Sequence, residues 1–262
     1  MALDIDRYAH TESPLQRWDP RVKIFSMGLL IISIALLKTI PMAVFALLLA
    51  LVILGVSALP RHFLLHGLSF VLVFLAPFFL IMPFTYPGEA AFSLLGLPFA
   101  WEGLRLATLI FLKALAIVMV TFAVFGSSRF DISMLALQYL KCPKVVVQML
   151  LFTYRYTFVF LDEMRRMHTS MRARGFVART DMKTLRIFGH FIGTLLVRSF
   201  ERTERVYKAM LSKGYQGELR LLVSFQSEGS DFIKAFVVIS IAAIMMYSDL
   251  SGGLSRAEEG WY

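Results

Sequence analysis

Met171-Arg172-Ala173-Arg174-Gly175-Phe176 and its echo Leu211-Ser212-Lys213-Gly214-Tyr215 share one pattern: a cation, a glycine, then an aromatic. Each reads as the end of a long helix. A Lys or Arg in the last turn faces the orphan carbonyls and the negative end of the helix dipole. The glycine takes the left-handed turn, and the aromatic packs back on the helix. Taken alone, either motif is the generic stop signal of any helix. Their repetition on two helices of one basic block raises a second reading, in which both ends present a cation to another subunit.

That block holds the chain's excess positive charge. Residues 129–220 carry 17 Lys or Arg against 7 Asp or Glu, a net of +10, while the whole chain nets +9. The positive-inside rule makes this segment cytoplasmic. Its expected neighbours are the lipid bilayer's anionic headgroups or an acidic partner surface. Nucleic acid is disfavoured, because no recognised binding motif accompanies the charge. Hydrophobic residues make up 58% of the 262 positions, and the mean hydropathy is +0.68. Soluble domains are roughly 45–50% apolar, so this is the composition of an integral membrane protein. The length allows one membrane domain plus a helical extension, with no separate globular enzyme domain. Cys142 is the only cysteine, which excludes an intrachain disulfide. Asp4, Asp6, Arg7 and Glu12 precede the first apolar run, the wrong order for a cleavable signal peptide.

The expected fold is therefore an all-α integral membrane protein. It has about five transmembrane helices and a cytoplasmic module of long amphipathic helices. The spans fall near residues 22–37, 42–59, 68–86, 104–126 and 232–247. Asp19 before Pro20 reads as an N-cap with proline at the first helical position. Trp18 suits a membrane interface, and Arg21 and Lys23 suit its cytoplasmic flank. Pro77 and Pro83 would kink the third span and free carbonyls that neighbours must satisfy. Residues 88–103 form a loop without Lys or Arg, as expected outside. Lys113 lies within the fourth span, which makes it either a functional candidate or a residue facing a bundle partner. The last span ends in Asp249, and Glu258 and Glu259 follow, which fits an external C-terminus and a cytoplasmic N-terminus. Three segments result: 1–128 with the first four spans, 129–220 as the cytoplasmic module, and 221–262 with the last span and tail.

Within the module, residues 130–140, 144–174 and 180–213 read as three amphipathic helices. Phe160, Met164, Met167 and Met171 form an apolar stripe at helical spacing. Leu185, Phe188, Ile192, Leu195, Val206 and Met210 form another. Such stripes are usually core, and they are also the composition of grooves that accept partner helices. Gly189 and Gly193 are a small-xxx-small pair that would let two helices cross closely.

No reaction is proposed by the residues. There is no G-x-x-x-x-G-K-[ST] phosphate cradle, no H-E-x-x-H and no G-x-S-x-G elbow. His62 and His66 could share a helix face, but no further metal ligand is near them in sequence. No catalytic residue, cofactor or metal site is expected.

Taken together, the residues resemble the transmembrane T component of energy-coupling factor (ECF) transporters, most closely the cobalt/nickel or CbiQ type. The resemblance rests on Asp19-Pro20-Arg21-Val22-Lys23, on Tyr154-Arg155-Tyr156 with Leu161-Asp162-Glu163-Met164, and above all on Ala173-Arg174-Gly175 and Ser212-Lys213-Gly214. Ile5-Asp6-Arg7-Tyr8-Ala9 with Ser13-Pro14-Leu15 resembles the metal-type members. The resemblance implies a non-catalytic subunit of an importer in a bacterial or archaeal cell membrane, with two ATP-binding cassette ATPase subunits and a CbiM-like substrate-binding membrane subunit as partners. It implies that the two motifs end coupling helices seated in ATPase grooves. It also implies that the apolar face, with Phe160, Met164, Met167, Met171, Gly189 and Gly193, holds the substrate-binding subunit, which carries the metal. Lys213 departs from the arginine usual in the second motif. Lysine keeps the charge and loses the bidentate fork. Three other readings stand beside this one: a vitamin-type T component, a lipid-acting membrane enzyme, and a scaffold that binds anionic lipid without coupling energy.

Overall fold

A computed structural model describes residues 14–85, 90–94, 97–217 and 229–258. The stretch at 5–9, Ser13, Gly88, Glu89 and Glu259 lie outside them. The fold is all-α in character and divides into two compact units. The described residues of the first fall in 14–140 and 229–258, and those of the second in 141–217.

The first unit is a helix bundle. It begins with α1 (Pro20–Leu36), started as the local sequence predicts: Asp19 is the N-cap, its carboxylate accepts the Arg21 amide at 2.9 Å, and proline sits in the first turn. Then come α2 (Ile40–Val56), α3 (Arg61–Thr85), a two-stranded antiparallel hairpin of β1 (Ala90–Leu94) and β2 (Leu97–Ala100), α4 (Trp101–Gly126) and α5 (Phe130–Tyr139). The last helix, α8, runs Gly229–Glu258. Helix α4 packs against α1, α2 and α3, while α1 also packs against α8 and α5. Between lipid-embedded helices there is no hydrophobic driving force, so close approach through small residues carries the packing. The buried positions fit this: Ala43, Ala46 and Ala50 of α2, and Ala107, Ala116 and Ala123 of α4. At Gly103 a Cβ would lie 2.6 Å from the Met82 carbonyl oxygen and 2.8 Å from the Pro83 Cα. Only glycine permits α4 to lie this close to α3 beside its second proline. Outward-facing apolar residues such as Phe70, Val73, Phe74 and Leu80 of α3 are largely exposed, as hydrocarbon surroundings allow.

Among the described residues, four helices are long and apolar enough to cross a membrane: Leu64–Thr85, Trp101–Gly126, Lys144–Ala173 and Gly229–Ser251. Helices α1 and α2 have 17 residues each, about 26 Å against a hydrocarbon core of about 30 Å. The chain is a multi-pass membrane protein. Several boundaries differ from the sequence reading. The 88–103 loop contains the hairpin, the fourth span starts at Trp101, and α8 extends eleven residues past the expected end at 247. The helix at 130–140, read as part of the cytoplasmic module, groups with the bundle because it packs on α1.

The second unit is α6 (Lys144–Ala173) and α7 (Met182–Ser212), 30 and 31 residues long. They form an antiparallel hairpin. Phe176 stacks edge-on against Phe188 near the turn, Glu163 pairs with Arg198 midway, and Tyr215 donates to Gln148 at the open end. Helix α6, read from sequence only as amphipathic, also qualifies as a bilayer-length segment, because its first half is nearly free of charge. Among described residues of the hairpin only Val147 and Thr184 are buried. Two amphipathic helices therefore leave most of their apolar stripes uncovered within this unit.

Candidate functional site

The two cation-glycine-aromatic motifs end the two hairpin helices with the same backbone geometry. At the first, the Gly175 amide donates to the Arg172 carbonyl at 3.0 Å and the Phe176 amide to the Met171 carbonyl at 3.1 Å. At the second, Gly214 donates to Leu211 at 2.9 Å and Tyr215 to Met210 at 3.0 Å. These paired bonds are the Schellman motif, which needs a left-handed residue after the cap. Gly175 and Gly214 supply it, with φ of 81° and 82°. Arg174 and Lys213 are the cap residues themselves. Both are exposed, and neither pairs with a carboxylate among the described residues. Ala173 and Ser212, the last helical residues, are exposed as well.

The aromatics then fix each end differently. Phe176 folds onto Phe188 of α7 at 5.8 Å between ring centroids. Tyr215 donates its hydroxyl to the Gln148 carbonyl oxygen at 3.0 Å, and the Gln148 amide donates to the Gly217 carbonyl at 3.2 Å. Beside Arg174 lies a concavity of about 560 Å³ lined by Met171, Phe176, Arg179, Asp181 and Ile187. Asp181 caps α7 by accepting the Thr184 amide at 2.8 Å. Its hydrogen bonds from the Thr184 side chain and amide hold the carboxyl below its usual range. Because the hairpin is antiparallel, the two motifs sit at its opposite ends, separated by the length of α7, roughly 45 Å.

The remaining sequence candidates scatter along the hairpin. Phe160 and Met167 are half-buried, Met164 is exposed, and Met171 lines the concavity beside Arg174. Gly189 and Gly193 are open, with nothing within 4 Å of an added Cβ. The small-xxx-small pair is therefore not where α6 and α7 approach, a correction to the expected crossing. The helices meet instead through the residues that join them at Phe188, Arg198 and Tyr215.

Two polar residues of the bundle, Lys23 and Asp249, lie deeper than the sequence reading places them, and a third, Asp231, escapes that reading. Lys23, expected at the membrane flank, is fully buried. Its ammonium donates to the Leu15 carbonyl and the Ser127 hydroxyl, both at 3.2 Å, and to the Ser128 hydroxyl. Asp249, expected at the start of an external tail, is buried within α8. It accepts the Lys38 amide at 2.8 Å, the Thr39 amide at 3.0 Å and the Thr39 hydroxyl at 2.5 Å. Asp231, at the other end of α8, accepts the Asp19 amide at 3.3 Å and pairs with Lys234 at 3.2 Å. Two α8 carboxylates thus hold both ends of α1, and the Ser33 hydroxyl donates to the Ala242 carbonyl midway at 2.9 Å. Lys113 donates to the Ala35 carbonyl at 3.0 Å, so it serves the bundle. Among the described residues no three His, Cys, Asp or Glu side chains come together.

Comparison with known proteins places this architecture. An uncharacterised protein of Methanocaldococcus jannaschii is 26% identical over 253 residues, 93% of this chain and 86% of its own length. The energy-coupling factor transporter transmembrane protein EcfT of Heliobacterium modesticaldum is 31% identical over 103 residues, 39% of each chain. The cobalt transport protein CbiQ of Rhodobacter capsulatus is 30% identical over 106 residues, 40% of this chain and 42% of its own. The family described as CbiQ, cobalt transport protein, matches residues 11–223. That match takes in most of the bundle and the whole hairpin, and the chain belongs to the CbiQ family.

Proposed function

We propose that this protein is the T component of an energy-coupling factor importer for cobalt or nickel. In this reading Arg174 and Lys213, with Ala173, Gly175, Ser212 and Gly214, each engage one ATP-binding cassette ATPase subunit. The hairpin passes ATPase closure to a CbiM-like substrate-binding subunit that rests on its apolar face. Phe160, Met164, Met167 and Met171 contribute to that face, and Gly189 and Gly193 leave it open to close approach. The chain itself performs no chemistry. Residues 129–220 and the N-terminus face the cytoplasm.

One observation carries the reading: two exposed cations on the same rigid cap geometry, at opposite ends of one hairpin. A helix needs a stop, but a stop does not require an exposed, unneutralised cation twice in the same frame. Ends roughly 45 Å apart suit a partner that offers two equivalent acidic grooves, as a pair of ATPases does. The names of the EcfT and CbiQ relatives support the same assignment.

Purification of the tagged chain from cells expressing its operon tests this. The expected result is co-elution of two ATPase subunits and a small membrane protein, with ATP hydrolysis only in the complex. A monodisperse chain that elutes alone from native membranes, or hydrolyses ATP by itself, would refute the assignment. Uptake of labelled cobalt and nickel by the same cells identifies the ion.

A further inference from the structure

The concavity of about 560 Å³ beside Arg174 is more than the setting of one cation. Met171, Val177 and Ile187 line it, and Val177 is 67% exposed and Ile187 39%. Arg179 and Lys183 line the same space as Arg174, against a single carboxylate, that of Asp181. Asp181 is already engaged, because it accepts the Thr184 amide at 2.8 Å. None of the three cations pairs with a carboxylate among the described residues. Apolar surface left exposed within a charged surround marks an interaction site.

The α6–α7 turn holds this shape by its own bonds. The Arg179 amide donates to the Thr184 hydroxyl at 3.2 Å, and the Asp181 amide donates to the Arg179 carbonyl at 2.9 Å. Thr184 is buried, and Phe176 packs edge-on against Phe188. The walls are therefore set before an occupant arrives, which lowers the ordering cost of binding. An occupant has two features to match. The apolar wall calls for an apolar side chain, and three cations less one carboxylate leave a net of +2 for anions to meet. Inorganic phosphate would satisfy only the second. Residues 162–174, which lead into the turn, carry six charged side chains, so the surroundings suit water and a protein partner rather than lipid chains.

We propose that the α6–α7 turn is a socket for one segment of the ATPase subunit that Arg174 engages. An apolar side chain of that subunit enters beside Met171, Val177 and Ile187, and carboxylates flanking it pair with Arg179 and Lys183. The contact is then reciprocal: Arg174 reaches into the ATPase, and the ATPase reaches into the turn. The apolar insertion fixes the register, and the added cations steer the encounter and weaken with salt. This inference rests on the coupling role proposed for Arg174 and adds Val177, Arg179, Lys183 and Ile187 to it.

Titration of the co-purifying ATPase subunits onto the detergent-purified full-length chain tests it, at low and at high salt. Arg179→Gln/Lys183→Gln should weaken binding about tenfold at low salt and flatten its salt dependence. Ile187→Asp should weaken binding at least as much at both salt concentrations. Arg166→Gln/Arg186→Gln removes the same charge elsewhere on the hairpin and should bind as the wild type does. All variants are compared as monodisperse preparations of wild-type helicity. A photo-crosslinking residue at Val177 in the assembled complex should attach to an ATPase segment that carries Asp or Glu within a turn of an apolar residue. Attachment to lipid or to the substrate-binding subunit would overturn the socket. So would an equal loss in the Arg166/Arg186 control. If Arg174→Ala loses binding while Arg179→Gln/Lys183→Gln and Ile187→Asp keep it, the socket fails and the coupling role stands. If all three keep it, both fail at this end of the hairpin.

Discussion

Replacing Asp249 with alanine should loosen the bundle at the α1–α2 turn. Its carboxylate accepts two amides and one hydroxyl, from Lys38 and Thr39, at 2.5–3.0 Å. Both amides belong to the turn before α2, where helix-initiating donors lack partners of their own. Hydrogen bonds to a charged acceptor contribute about 1.5–3 kcal/mol each. The Thr39 hydroxyl and amide share one carboxylate oxygen, so the three bonds are not independent, and about 3–5 kcal/mol is a fair total. For a chain of this size that corresponds to a melting shift of about 10 °C. Asp249→Asn is the informative companion. Its carbonyl oxygen can keep the Thr39 pair, but its amide meets the Lys38 amide donor to donor, so about half the loss should remain. The assay is thermal melting of the detergent-purified protein, read by fluorescence size exclusion. A melting point within about 2 °C of wild type for Asp249→Ala, or equal damage from Asn and Ala, would refute the argument that this carboxylate closes the turn.

Three further outcomes follow from the geometry. Lys23→Met should cost about 1–3 kcal/mol by removing the donor to two buried acceptors and the half-buried Ser128 hydroxyl, and adding Ser127→Ala and Ser128→Ala should recover part of that loss in the same melting assay; no recovery would mean that the contacts are not energetically coupled. Gly175→Ala should cost about 1–2 kcal/mol of backbone strain at φ 81°, with no steric clash because nothing lies within 4 Å of the new Cβ; in the proposed importer it should lower uptake at unchanged membrane level, and full uptake would show that the cap geometry is dispensable. A cysteine at Ser93 should react with an impermeant reagent from outside while one at Ser212 is spared, and the reverse pattern would invert the proposed orientation.

Local chemistry was legible in the sequence, and tertiary chemistry was not. Asp19-Pro20 declares a helix start through bonds made within two residues, and the structure places it there. The Schellman caps at Gly175 and Gly214 are equally local, so both helix ends could be read to within a residue. Lys23 and Asp249 show the opposite. A charge at the edge of an apolar run reads as a membrane boundary, because its partners lie 104 and 210 residues away. Nothing in a one-dimensional pattern distinguishes a flank from a buried clamp there. Gly189 and Gly193 mark the same limit. Small residues four apart permit close approach but do not say to what, and within the hairpin nothing comes near them. Helix α6 was misjudged because its two halves average to an amphipathic whole, although the first is nearly uncharged.

The central claim is that Arg174 and Lys213 are contacts rather than helix stops. As stops, each cation contributes about 0.3–1 kcal/mol through the helix dipole, and its loss should touch stability alone. As contacts, each loss should remove a charge-assisted pair and leave an acidic partner group unsatisfied, about 2–5 kcal/mol, or roughly thirtyfold or more in affinity. The decisive measurement is ATPase capture and metal uptake by Arg174→Ala, Lys213→Ala and the double variant, at matched membrane levels. The account predicts loss of capture and uptake for Arg174→Ala and for the double variant, partial loss for Lys213→Ala, and wild-type or tighter capture by Lys213→Arg. Normal capture and uptake in the double alanine variant would contradict it and leave both motifs as helix caps.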